Sequence, residues 1–145
     1  MLRIFVSIML AAVSPLAAAD GEGRGCSNAT LKGEYGFMLT GTAPSGPPPA
    51  PLQQIIGVSI ARYDGAGNST GTDNVHGSIT GFAAPDRPVT GTYSIKEDCT
   101  GVGMLFSPGQ PPLELRFVVV DKGKEVRLVV VSPANVMVTS IGKKL

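Results

Sequence analysis

The run Ile56-Gly57-Val58-Ser59-Ile60-Ala61-Arg62-Tyr63-Asp64-Gly65-Ala66-Gly67-Asn68 decides the fold class. Ile56, Val58 and Ile60 alternate with Gly57, Ser59 and Ala61, which is the two-residue period of a strand and not the period of a helix. The run closes in Tyr63-Asp64-Gly65-Ala66-Gly67-Asn68, residues that tolerate positive φ, so the chain turns back on itself as a hairpin. The return stretch, Ser69 to His76, is polar and rich in Thr and Gly, as expected of a strand with one face in water.

Outward from this hairpin the same pattern recurs. Before it, Tyr35, Phe37 and Leu39 alternate with Glu34, Gly36 and Met38. After it, Gly77 to Phe82 reads as a prolongation or bulge, and the runs Val89–Ile95, Gly101–Phe106, Leu113–Val120, Glu125–Val131 and Val136–Ile141 follow. Short turns separate them, Lys96-Glu97-Asp98-Cys99 and Asp121-Lys122-Gly123-Lys124 among them. The Pro-bearing stretches at 45–51, 83–88 and 108–112 cannot donate ladder hydrogen bonds and read as exposed loops.

The reading is all-β: eight strands joined by short connections, hence sequential antiparallel pairing. An even-stranded meander closes as an up-and-down barrel or packs as a two-sheet β-sandwich. The barrel is the expectation, because closure removes edges and Val118-Val119-Val120 and Val129-Val130-Val131 would be aggregation hazards on an exposed edge. These triplets put apolar groups on both strand faces. A second copy of the chain is one cover for the outer face, so a homodimer enters as a partner expectation.

The first nineteen residues carry a basic start (Arg3), an apolar run from Ile4 to Val13 and the small exit Ala17-Ala18-Ala19, the layout of a secretory signal peptide cut before Asp20. The apolar run is about half of the roughly 20 residues that a membrane-spanning helix needs, so no transmembrane anchor is expected after cleavage. The domain plan is a signal peptide over 1–19, a flexible N-terminus over 20–25 and one β-barrel domain over 26–145, secreted or periplasmic. Cleavage removes Arg3 alone among charged residues, taking Lys plus Arg from 12 to 11 against 11 acidic residues. A near-neutral chain without a clustered basic face argues against a nucleic-acid partner. Two cysteines remain, Cys26 and Cys99. Export would place them where disulfides persist, and their spacing is unlike a redox or zinc motif, so a bond between them is expected.

Catalytic patterns are sparse. His76 is the single histidine and lies at the end of a Gly- and Thr-rich strand, where a surface position accounts for it. Gly57-Val58-Ser59-Ile60-Ala61 lacks the final Gly of a nucleophile elbow. Asp64, Asn68 and Asp73 lack the alternating ligands of a calcium loop, and turn chemistry accounts for Asp64 and Asn68. No metal and no cofactor is expected. Five residues remain as candidate ligand contacts. Arg62 continues the Ile56, Val58, Ile60 row: if that row lines the lumen, Arg62 stands at its mouth and could meet a carboxylate; otherwise it is solvated. Tyr35 and Tyr93 fall on apolar rows and could offer hydroxyls to a ligand or fill the core. Phe37 and Phe117 are inward aromatic residues. With Leu39, Phe106 and Leu128 they favour a barrel filled by its own side chains over an open one.

Four segments carry a resemblance: Cys26-Ser27-Asn28-Ala29-Thr30-Leu31-Lys32-Gly33-Glu34-Tyr35-Gly36-Phe37, Tyr63 to Asn68, Thr90-Gly91-Thr92-Tyr93-Ser94-Ile95 with Asp98-Cys99-Thr100-Gly101, and Val118 to Glu125. Together they resemble a group of secreted bacterial proteins of unassigned activity, similar in turn to the allene oxide cyclase type of lipocalin-like barrels. The resemblance implies an eight-stranded barrel. Enzymes of that type hold an apolar substrate in the lumen and steer a cyclisation mainly by shape. The matching segments are turns and strand starts, so no catalytic residue carries over. The functional expectation is a secreted barrel binding a small apolar or amphipathic molecule in its lumen. The alternatives are a cyclase or isomerase using the same lumen, and a packed structural or envelope protein.

Overall fold

A computed structural model describes residues 25–145. The expected signal peptide over 1–19, and 20–24 of the expected flexible segment, lie outside the described residues. The strands are β1 (Gly33–Pro44), β2 (Leu52–Tyr63), β3 (Asn68–Gly77), β4 (Gly81–Phe82), β5 (Arg87–Ile95), β6 (Thr100–Phe106), β7 (Leu113–Val120), β8 (Glu125–Ser132) and β9 (Met137–Lys144). Every pairing is antiparallel, and each long strand pairs with its sequence neighbours. β1 pairs with β9 as well as with β2, which closes the sheet into an eight-stranded up-and-down barrel, with β4 the one strand outside the ring. The barrel, not the sandwich, is the fold, and the eight long strands fall where the sequence pattern puts them.

Gly77–Phe82 neither prolongs β3 nor bulges. The chain reverses there and lays β4 back on the end of β3, pairing Gly77 with Gly81 and His76 with Phe82. Gly81 takes φ +73, a conformation that glycine enters without steric cost. The Gln53 Oε1 accepts the N–H groups of Ile79 and Thr80, each at 3.0 Å, and holds the reversal in place.

The two ends of the barrel differ. One end, here the floor, carries the turns 64–67, 96–99 and 121–124. The segment before β1 crosses it, folded as a single 3-10 turn, Asn28–Leu31. Cys26 and Cys99 are bonded, 73 residues apart in sequence with Cα atoms 4.9 Å apart. In the chain-entropy account a loop of that length contributes roughly 4 kcal/mol. The Cys26 N–H donates to the Glu97 carbonyl at 3.0 Å. Asn28 Oδ1 accepts the Ile95 N–H at 2.8 Å, and Leu31, 1% exposed, caps the core from below.

A contiguous buried cluster fills this half, Leu31, Tyr35, Phe37, Tyr93, Ile95, Val119 and Val126, with Tyr63, Phe117 and Leu128 packed against it. Phe37 lies across Gly142 and Phe117 across Gly101, their register partners, so closely that a Cβ on either glycine would overlap the ring. The other end, the mouth, is framed by the loops 45–51, 107–112 and 133–136 and by the β3–β4 reversal.

Of the residues expected to fill the barrel, Phe37, Phe117 and Leu128 do so at the floor, and Leu39 lies higher on the wall. Phe106 does not: on β6 the inward positions are Gly101, Gly103 and Leu105, and the two-residue period turns Phe106 to the outside. The expectation of a filled barrel therefore holds for the lower half only.

Candidate functional site

Above the packed floor the lumen holds a cavity of about 930 Å³ that opens at the mouth. Its volume follows from which residues β2 and β3 turn inward. On β2 these are Gln53, Ile55, Gly57, Ser59, Ala61 and Tyr63, and on β3 Ser69, Gly71, Asp73 and Val75. Small side chains at 57, 59, 61, 69 and 71 leave one side of the barrel hollow. The opposite wall is apolar, built by Leu39 on β1, Val138 on β9, Val130 on β8, Leu115 on β7 and Leu105 on β6. The small groups and the charged pair thus cluster on the β2, β3 and β5 side of the lumen, and branched hydrocarbon predominates on the other.

The polar groups of the lining are held in place. Asp73 and Arg87 are register partners on β3 and β5, and the guanidinium grips the carboxylate with two bonds, Nε to Oδ1 at 2.8 Å and Nη2 to Oδ2 at 2.9 Å. Both line the cavity, and among the described residues they are the only charged side chains that do. Ser59 stands directly opposite Asp73 on β2. Gln53, buried at the mouth, spends its carbonyl oxygen on the β3–β4 reversal, including the Thr80 hydroxyl at 3.1 Å. Ser140, also buried, donates to the Met38 carbonyl at 2.8 Å and is internally satisfied.

Tyr63 lines the bottom of the cavity. It packs edge-on against Tyr35, centroids 5.4 Å apart, and against Tyr93 at 5.2 Å. All three tyrosines of the chain therefore meet at the floor. Burial raises the pKa of each above the ordinary phenolic value; at Tyr35 and Tyr63 a neighbouring phenol adds to the effect, and at Tyr93 backbone hydrogen bonds partly oppose it. Tyr35 donates to the Gly123 carbonyl, while Tyr93 donates to the Asn28 carbonyl and accepts the Gly65 N–H at 3.0 Å.

These placements sort the five candidate ligand residues. Phe37 reaches the cavity wall. Tyr35, Tyr93 and Phe117 belong to the packed floor beneath it. Arg62 lies on the outside: Ile56, Val58 and Ile60, the row it continues, are 62%, 54% and 52% exposed, and its guanidinium pairs with Glu34, its exposed register partner on β1. The condition that this row lines the lumen is not met: Ile56, Val58 and Ile60 face out, while Gly57, Ser59 and Ala61 face in with Ile55 and Tyr63. The solvated alternative for Arg62 is the one observed. His76 is exposed at the end of β3. Asp64 serves turn chemistry, its Oδ1 accepting the N–H groups of Ala66, Gly67 and Asn68.

Sequence reasoning missed Asp73, Arg87 and Tyr63 as cavity residues. The signal for Tyr63 was present, since it shares parity with Gly57, Ser59 and Ala61. Asp73 and Arg87 face each other only through the β3–β5 register, which no local pattern encodes.

The outer face remains apolar over adjacent strands. Val58, Met38 and Ile141 stand in one row across β2, β1 and β9, and Val118, Val129 and Val131 are exposed while Val119 and Val130 point inward, so both Val triplets are two-faced as expected. A shallower outer groove of about 530 Å³ runs over β5 to β8 beside Arg116 and Arg127. Among the described residues no helix is long and apolar enough to cross a membrane, and no cluster of metal-ligating side chains occurs. No protein-family model, curated protein or solved structure matches the chain. Its class rests on its own geometry: a closed antiparallel barrel, disulfide-tied at one end and hollow at the other.

Proposed function

We propose that this protein is an exported binding module that holds one small, largely apolar molecule in its barrel lumen. The observation that carries the reading is the cavity of about 930 Å³ above a floor of packed aromatic residues. Small-molecule sites run to roughly 300–1,000 Å³, mostly apolar with a few placed polar groups, and this lumen has that make-up. A barrel filled by its own side chains, as a purely structural role would favour, needs large inward residues at 57, 59, 61, 69 and 71, where the chain has Gly, Ser and Ala.

Export is supported by the leader-like stretch at 1–19 and by the Cys26–Cys99 bond, which persists in oxidising compartments. Kinship with the allene oxide cyclase type of barrel belongs to the same proposal and is supported by strand number and up-and-down order. A cyclase or isomerase would use the same lumen, where Asp73 and Arg87 are the charged groups among the described residues.

The test is a fluorescence titration with N-phenyl-1-naphthylamine, whose emission rises in apolar surroundings. Saturable enhancement with one site per chain is expected, weakened at least tenfold by Ser59→Trp, which puts a bulky ring into the hollow side of the lumen. No enhancement, or enhancement that Ser59→Trp leaves unchanged, contradicts the reading.

A further inference from the structure

The Asp73–Arg87 pair stands out in a lumen whose other lining side chains are all uncharged. Its side chains are 10% and 26% exposed. An ion pair withdrawn from water gives up hydration that its mutual attraction barely returns, and apolar side chains of similar volume often stabilise a protein as well or better. Stability therefore does not explain why the wall keeps these charges.

The geometry says what the pair can still do. The carboxylate occupies Nε–H and one Nη2 hydrogen of the guanidinium, so the Nη1 donors and the second Nη2 hydrogen are not committed to Asp73. Arg87 is the more open partner and sits at the start of β5, on the mouth side of the lumen. Its positive charge is already matched by Asp73, and no second cation lines the cavity among the described residues. A ligand carboxylate placed here would bring an uncompensated negative charge beside Asp73. A neutral acceptor would not.

We infer that Arg87, held by Asp73, is the polar subsite of the lumen and that it selects ligands carrying a neutral hydrogen-bond acceptor, such as a ketone or ester carbonyl, on an otherwise apolar body. The carbonyl takes the free guanidinium donors, and the body lies against Leu39, Leu105, Leu115 and Val138 on the opposite wall. Ser59, opposite Asp73, keeps the approach open because it is small. Asp73 is a positioning residue: it fixes the guanidinium plane and neutralises it. This inference rests on the lumen-binding reading and adds the ligand's chemistry to it.

Three probes of one shape test it: 2-acetylnaphthalene, 2-isopropylnaphthalene and 2-naphthoate, titrated calorimetrically into the full chain and into Asp73→Leu/Arg87→Met. A hydrogen bond to a charged donor is worth about a tenfold preference. The expected result is 2-acetylnaphthalene bound about tenfold tighter than the isopropyl probe, 2-naphthoate weaker than the ketone, and the ketone preference abolished in the double variant. Equal binding of ketone and isopropyl probe overturns the inference and leaves lumen binding standing. Tightest binding by 2-naphthoate overturns it in favour of an anion site, and a ketone preference that survives the double replacement overturns it by placing the donor elsewhere. If none of the three binds, the lumen reading falls with it. If the double variant does not fold, a wild-type order other than the expected one still overturns the inference.

Discussion

Tyr35 donates its phenolic O–H to the carbonyl of Gly123, 88 residues further along the chain, and so ties the first strand of the barrel to the β7–β8 turn. Gly123 holds φ +87 with the Thr30 carbonyl pressed where a Cβ would stand, so the turn and the 3-10 segment lock over the same tyrosine. Tyr35 is completely buried. Tyr35→Phe keeps the ring and strands the Gly123 carbonyl without its partner, at an expected cost of about 1–3 kcal/mol. Urea unfolding of the oxidised protein measures it. A midpoint equal to that of the wild type would show that the bond contributes nothing.

The tyrosine cluster makes the floor sensitive to alkali. Burial favours the neutral phenol, so the folded-state pKa of Tyr35, Tyr63 and Tyr93 lies above the ordinary 10.0. The unfolded chain then releases these protons first, and the folded state binds more of them at high pH. The stability from this source is complete below about pH 10 and is lost as the pH rises from there through the folded-state values. The urea midpoint should fall as the pH rises above about 10, and absorbance at about 295 nm should show phenolate appearing later in the folded protein than in urea. Phenolate appearing at the same pH in both contradicts the packing described.

Arg62 and Glu34 form an ion pair on the outer surface, with side chains 71% and 47% exposed. Exposed pairs contribute about 0–1 kcal/mol. Arg62→Ala is expected to shift the unfolding midpoint little, and to leave N-phenyl-1-naphthylamine affinity unchanged. A tenfold loss of affinity in that variant would place Arg62 at the ligand after all.

Strand positions and the meander order were legible because each strand carries its own period-two pattern and each turn its own Gly, Asn or Asp. The Cys26–Cys99 bond was legible from cysteine number and spacing. The face that each strand turns inward was not uniformly so. On β1 and β7 the larger residues face in, and Tyr35, Phe37 and Phe117 point inward as their apolar rows suggest. On β2 the rule inverts, because the hollow side of the lumen is made by small residues while Ile56, Val58 and Ile60 cover the outside. Periodicity specifies two faces and leaves open which one is the core. Asp73 and Arg87 lie fourteen residues apart, on strands joined through the β4 reversal, and their pairing depends on a register that local sequence does not state.

The most direct test of the central claim, an accessible lumen that takes a small apolar molecule, is methyl NMR of the oxidised protein during titration with N-phenyl-1-naphthylamine. Saturable shifts are expected at the inward methyl groups of Leu39, Val75, Leu105, Leu115 and Val138, with Ile56, Val58 and Ile60 unmoved. Shifts confined to those three outer residues, or to none of the eight, would contradict it.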